Sequence, residues 1–330
     1  MEIYWNLEIG IWKFKTMLTA LEQSILSALV YFDIFEYPLT LLEIHRFLLR
    51  LGESAPARSY TLGEVRTALF EGEPFKSVIR FKNGFFYLRG REHKIRTRAQ
   101  RLIISLPKYK LAEHVSRLLS WVPFVRFIAV CNSLSCSNAQ QESDIDLFII
   151  TKKGGAWWTR LISLLILKLL RLRPGQGGVK DKICLSFFVD SGHLNLETIK
   201  QGEMDVYLPI WLATLYPLYD AGCYYSALWQ ANGWLARYLP GSCPVIPHAL
   251  RLKTRRPVLK LVFESLLLPF GFAAAGLQRR AFPVEIWELL NKDTRVRVEP
   301  GILKFHTHDR REEYGQEFKR RLNTVSSSII

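Results

Sequence analysis

The stretch CNSLSCSNAQQESDIDLFIIT, residues Cys131 to Thr151, decides the fold. Its second half, Asp144-Ile-Asp-Leu-Phe-Ile-Ile150, is apolar and branched enough to be a buried strand, yet two acids stand at its head. Residues two apart on a strand face the same side. Asp144 and Asp146 therefore point together, while Ile145 and Leu147 point into the opposite layer. Two ionised carboxylates side by side repel unless one is protonated or a cation lies beside them. Hard oxygen ligands suit Mg2+ (or Mn2+), which takes one or two carboxylates and fills its shell with water and phosphate oxygens. A structural alternative has Asp144 capping a turn and Asp146 pairing with Arg126 on the neighbouring strand. It explains one acid, but not two on one face.

A buried strand precedes this stretch, Phe124-Val-Arg-Phe-Ile-Ala-Val130, and another follows, Ile183-Cys-Leu-Ser-Phe-Phe-Val189. A strand, a short turn with serine, then Asp-x-Asp on the next strand resembles the DNA polymerase β-like nucleotidyltransferase superfamily. In its common bacterial form the stretch reads GSRARGDARPDSDIDLLV. Residues Asn132 to Leu147 lie along that pattern without a gap, and Ser133, Ala139, Ser143, Asp144, Ile145, Asp146 and Leu147 match outright. The resemblance covers roughly residues 121–190. It implies that Asp144 and Asp146 hold Mg2+ against the triphosphate of an NTP. It also implies that Asn132 and Ser133 bind phosphate, the serine opening a short helix whose amides face the ligand.

The chain departs from the pattern in places. Asn132 and Ser137 stand where the family has glycine, and Leu134 and Cys136 replace basic residues. Asn is the side chain most tolerant of a left-handed backbone, so the first turn can survive. Family enzymes carry a third acid on a later strand. Here Ser186 occupies the strand's middle, and the acids flanking it are Asp181 and Asp190, so a third catalytic carboxylate is one of these or none. Lys152 and Lys153, just past the strand, are either phosphate contacts or solvated loop residues.

The whole chain bounds these readings. Its 330 residues suffice for two domains or a large one with additions, and 49% apolar content excludes global disorder. Lys and Arg number 45 against 30 Asp and Glu, a net charge of +15 that favours polyanionic partners. Five cysteines, Cys131, Cys136, Cys184, Cys223 and Cys243, form no CxxC pair, which points to reduced thiols, no structural zinc and a cytoplasmic protein. Two apolar segments, Trp157 to Leu172 and Leu261 to Leu277, are interrupted by charges or proline and fall short of the ~20 apolar residues of an integral span. Buried helices are the expectation for both. Peripheral membrane contact by the second is the alternative, because Arg255, Arg256, Arg279 and Arg280 flank it.

Three capping boxes, Thr19…Glu22, Thr40…Glu43 and Thr61…Glu64, each open a helical pattern. Two alternating runs then flank Asn83-Gly84, a hairpin signal. Three helices and a hairpin over residues 20–90 resemble a winged helix-turn-helix domain. Its third helix, Leu62 to Phe70, offers Arg66 and Thr67 but also Glu64 and Glu71, which is thin for base contacts. The wing and the helix after it are more basic: Lys76, Arg80, Lys82, Arg89, Arg91, Lys94, Arg96, Arg98 and Arg101. These form either a nucleic-acid surface or the solvated face of a structural or partner-binding module.

Beyond the third strand, Asp205 to Tyr219 and Tyr225 to Leu239 carry Trp, Tyr and Leu at helical spacing. Trp211, Leu215, Leu218, Trp229 and Trp234 are expected in the core, and Tyr224, Tyr225, Gln230 and Asn232 at turns, on the surface or lining an acceptor pocket. His306 and His308 share a face if extended, a minor zinc expectation, and Asp309 opens a helix from Arg310 to Leu322.

The expected architecture is α/β (α+β): a nucleotidyltransferase-like mixed sheet flanked by helices, an N-terminal winged helix and a helical C-terminal region. The expected divisions are an extension over 1–18, then 19–105, 106–240 and 241–330. The expected activity is Mg2+-dependent transfer of a nucleoside monophosphate from an NTP to a hydroxyl or phosphate acceptor. The alternative is a catalytically degenerate binding or regulatory protein with a DNA- or partner-binding winged helix.

Overall fold

The computed structural model of the chain describes residues 18–51, 59–175, 178–202, 205–247 and 258–329. The extension expected over 1–18, apart from Leu18, and the basic run Arg251 to Arg256 lie outside the described residues.

Helices α1 (Ala20–Ile34), α2 (Leu41–Arg46) and α3 (Leu62–Glu71) begin at the three threonines. Each box closes reciprocally: the threonine hydroxyl accepts from the backbone N–H three residues on, at 3.3, 3.3 and 3.2 Å, and the glutamate accepts from the threonine N–H. Such a cap contributes about 1 kcal/mol by satisfying otherwise orphaned amides. A single turn, α4 (Phe75–Val78), leads into an antiparallel hairpin of β1 (Ile79–Lys82) and β2 (Phe85–Leu88). Asn83 and Gly84 both have positive φ, 52° and 82°, as a two-residue turn of this hand requires.

The long α5 (His93–Leu119) then carries the chain to β3 (Val125–Val130). The one-turn α6 (Asn132–Ser135) follows, then β4 (Ile145–Thr151), α7 (Ala156–Leu169), β5 (Ile183–Asp190), α8 (Tyr207–Thr214) and β6 (Tyr216–Asp220). Next come α9 (Tyr224–Ala231), α10 (Leu235–Tyr238), α11 (Val258–Leu267), α12 (Gly271–Arg280), α13 (Val284–Leu289), β7 (Val296–Glu299), β8 (Ile302–Phe305) and α14 (Arg311–Ser327).

Six strands form one mixed sheet in the order β6-β3-β4-β5-β8-β7; only β4 and β5 run parallel. Alternation along the strands gives two apolar layers. Phe127, Ala129, Phe148 and Ile150 face α1, α8 and α14, while Ile128, Val130, Ile145, Leu147 and Ile149 face α5 and α7. Asp146 shares the first face with Phe148.

Two sequence expectations change here. The 205–219 segment is not one helix: from Tyr216 on, Pro217 and the aromatic residues beside it pair with β3 as β6. The C-terminal region is not wholly helical, because β8 hydrogen-bonds to β5 and brings β7 with it. Apolar residues of all three expected divisions share one core, with Tyr31 of α1 against Phe318 of α14. Buried Asp33 of α1 ties them further, pairing with Lys94 of α5 at 2.5 Å and with Arg321 of α14.

The two apolar segments behave differently. α7 buries one side, including Leu167. The run Lys260–Arg280, by length and composition able to cross a membrane, instead exposes its apolar side chains, against the expectation of a buried helix.

Candidate active site

The turn after β3 is built on two left-handed residues, Asn132 at φ 57° and Ser137 at φ 55°. These are the two positions where the resemblance expects glycine. Each costs about 1–2 kcal/mol for a residue with a Cβ, and Asn less than Ser. The turn is held despite that cost by local bonds: Ser137 N to Leu134 O at 2.8 Å, Asn138 N to Ser133 O at 2.9 Å and Cys131 N to Asp146 O at 3.1 Å. Leu134 and Ala139 anchor it in the core. Ser133 is left exposed.

The Asn132 side chain is bonded through both its amide nitrogen and its amide oxygen. Its Nδ2 donates to Asp146 Oδ2 at 2.7 Å, and its Oδ1 accepts from Tyr207 O–H at 3.1 Å and Trp211 Nε1 at 3.0 Å. The residue expected at the phosphate thus positions the Asp146 carboxylate and fastens the turn to α8.

Asp144 and Asp146 are both half-buried at the head of β4. Burial and then the neighbouring Asp146 charge push Asp144 up to about 7, and burial raises Asp146 as well, against the hydrogen bonds from Asn132 and Cys184. The register of the parallel ladder places Cys184 opposite Asp146. One ligand atom from each of Asp144, Asp146 and Cys184 lies within 4.8 Å of the others, the one such group among the described residues. The thiol is held protonated, driven up by burial and then by Asp146.

The acids considered for a third carboxylate are employed elsewhere. Asp181 accepts from Lys108 Nζ at 2.6 Å. Asp190 pairs with Thr151 at the far end of the ladder, about 17 Å from Asp146 at the usual strand rise, and accepts from Gly154 N and Gly192 N. Lys152 and Lys153 lie at that same far end, which removes them from the carboxylates. Arg126 does not meet Asp146; it forms a bidentate pair with Glu264 at 2.7 and 2.5 Å.

A bulge between Asp146 and Phe148 in the β4–β5 pairing inserts an extra residue in β5. Ser186 there lies 2.7 Å from His306 Nε2 of β8's end, while His306 Nδ1 has no hydrogen-bond partner among the described residues. Burial pushes His306 down to about 3, so it is neutral. His308 instead lies against the Thr307 hydroxyl, and the two histidines do not form a metal pair.

Asn132, Ser133 and Ser143, neighbours of the two carboxylates, line a cleft of about 750 Å3 that neither Asp144 nor Asp146 itself lines. Tyr31 and Glu36 from α1's end, Tyr207 and Trp211 from α8, and His306 and Tyr314 from the C-terminal segment complete it. Its cations are engaged: Arg101 with Glu36, Lys304 with Asp309 at 2.8 Å, Arg311 with Asp309 and Asp205. Two more cations of the basic helix are spent inward, Lys94 on Asp33 and Arg98 on Glu43, while Arg96 is exposed. Of the basic residues around the β1–β2 hairpin, Lys76, Lys82, Arg89 and Arg91 are exposed, Lys76 and Lys82 pairing with Glu73 and Glu92.

Two carboxylates on one face fit a divalent cation that keeps water or phosphate oxygens as its other ligands. The protonated thiol is a poor ligand for so hard an ion and leaves that side open. Sequence reading missed Cys184, Ser186 and His306. The polar alternation Cys184-x-Ser186 in an otherwise apolar strand was the available signal.

Compared with protein-family models, with curated proteins and with solved structures, the chain matches none.

Proposed function

We propose that the chain is a divalent-cation-dependent nucleotidyltransferase with a polymerase β-like core, preceded by a winged-helix module over residues 20–90. One observation carries this reading. Asp144 and Asp146 stand together on one face, beside a turn whose two glycine positions keep the left-handed backbone without glycine.

Asp144 and Asp146 would hold Mg2+ (or Mn2+), which when bound would neutralise the triphosphate and its departing pyrophosphate. Asn132 fixes the Asp146 carboxylate through its Nδ2 and cannot rotate away while Tyr207 and Trp211 hold its Oδ1. Ser133, exposed in the cleft lining, would offer its hydroxyl to a phosphate oxygen. The cleft is within the ~300–1,000 Å3 usual for small-molecule sites. In the proposed transfer, an acceptor oxygen bonds to the α-phosphorus, the bond to the β-phosphate oxygen breaks, and the acceptor proton leaves to solvent.

A specific observation favours a second reading. Cys184 occupies the strand position opposite Asp146, where a carboxylate base would activate the acceptor, and the cleft's cations are already paired. A nucleotide-binding protein without turnover would tolerate both features. Labelled NTPs with Mg2+ or Mn2+, alone and with cell extract, separate the readings. Label transfer lost in Asp144→Asn/Asp146→Asn supports the enzyme; nucleotide binding without turnover supports the binder.

A further inference from the structure

The run Lys260–Arg280 is built inside out. Its inward positions, spaced three or four apart, are Lys260, Glu264, Leu267, Gly271, Ala274 and Gln278. The polar members of that stripe bind the protein. Lys260 Nζ donates to Ser120 O and Val125 O at 2.8 and 2.7 Å. Glu264, 1% exposed, pairs with Arg126 and accepts from Phe124 N at 2.7 Å. Gln278 accepts from Arg160 at 2.7 Å and donates to Trp157 O at 2.8 Å. The outward face is apolar: Leu261, Val262, Phe263, Leu266, Phe270 and Phe272, the last two 55% and 75% exposed.

A soluble helix has the reverse arrangement. Between Leu261 and Leu277 the only exposed side chain with a polar atom is Ser265, and its hydroxyl turns back to Leu261 O at 3.1 Å. A protein partner would meet a surface with nothing to hydrogen-bond, whereas protein interfaces average one hydrogen bond per 100–200 Å2. Hydrocarbon asks for none. The rim supplies charge. Arg279 and Arg280 end α12, and Lys168, Arg171 and Arg173 lie on and after α7, against which α12 packs. Two exposed acids, Glu285 and Glu288 of α13, oppose these five cations. Trp287 is exposed on α13, in the manner of side chains that sit at a lipid interface.

We propose that this face docks on a bilayer carrying anionic phospholipid. α11 and α12 lie flat, their apolar side chains in the acyl boundary and their polar stripe on the protein. The inward charges that break a spanning segment are, in this orientation, never presented to lipid. The placement does not depend on what the Asp144–Asp146 site does.

Flotation of the full chain tests it, with vesicles of phosphatidylcholine alone and of phosphatidylcholine with phosphatidylglycerol. The expected result is at least tenfold greater partition onto the anionic vesicles. Leu266→Glu/Phe272→Glu should lower partition at least tenfold with the melting temperature unchanged, since both side chains are exposed. Arg279→Glu/Arg280→Glu should reduce the preference for the anionic vesicles. Wild-type protein that floats with neither vesicle overturns the proposal, as does partition that Leu266→Glu/Phe272→Glu leaves intact. A vesicle-independent dimer dissolved by those substitutions would also overturn it, by showing that a second copy covers the face.

Discussion

Cys184 stands opposite Asp146 across the parallel β4–β5 ladder, its Sγ within 4.8 Å of ligand oxygens of both Asp144 and Asp146. A neutral thiol there hydrogen-bonds to Asp146 but supplies no positive charge to offset the repulsion of the two carboxylates. Replacing it with a third charge tests what the cluster is for. Cys184→Asp should destabilise the metal-free protein by about 2–3 kcal/mol, because a third like charge enters a partly desolvated site. Millimolar Mg2+ should recover most of that loss by binding the folded state alone. Melting curves in EDTA and in Mg2+ check it; a variant indifferent to Mg2+ would show that no shared cation site exists.

Asp144 is pushed up to about 7, so the folded protein holds its proton more tightly than the unfolded chain. Without metal, that contribution is full below pH 3.8 and is lost as pH rises towards 7. Asp144→Asn should therefore stabilise metal-free protein at pH 8, by roughly 1–3 kcal/mol after solvent screening. Urea denaturation in EDTA measures it, and Mg2+ should reverse the order by favouring the wild type.

Asn132 combines a left-handed backbone with three side-chain hydrogen bonds. Asn132→Ala should cost about 2–4 kcal/mol, through both backbone strain and the stranded Asp146, Tyr207 and Trp211 groups. Asn132→Gly should cost about 1 kcal/mol less than Asn132→Ala, since it strands the same groups but is free of the backbone strain. Denaturant midpoints for the two variants give the comparison, and equal losses would show that strain contributes nothing.

Burial holds His306 down to about 3, among Lys304, Asp309 and Arg311. The unfolded imidazole gains its proton near pH 6.5, so this residue's contribution is full above that and falls away as pH drops towards 3. His306→Gln should flatten the acid limb of the stability curve, by roughly 1–2 kcal/mol at pH 4.5. An unchanged acid limb would place the proton uptake elsewhere.

Much of the architecture was legible because its signals are local. The three Thr-x-x-Glu boxes and Asn83-Gly84 satisfy their own backbone within four residues, and they form as read. The face shared by Asp144 and Asp146 follows from strand period alone. What was missed depends on distant pairing. β6 is a strand only because β3 is there to bond it, and β7 and β8 because β5 offers an edge. Cys184 gains meaning only from the register that sets it against Asp146. Apolar composition likewise could not show that Leu261 to Leu277 turns its greasy side outward, because Arg126 and the Ser120 and Val125 carbonyls, which draw Lys260 and Glu264 inward, lie far back in the chain.

Turnover of labelled NTPs by wild type and by Asp144→Asn/Asp146→Asn, with Mg2+ or Mn2+ and with cell extract as the acceptor source, tests the central claim most directly. Label transferred to an acceptor with pyrophosphate released, and both abolished in the double variant, is the expected result. Activity that survives loss of both carboxylates, or wild-type protein that neither turns over nor binds any NTP, would contradict it.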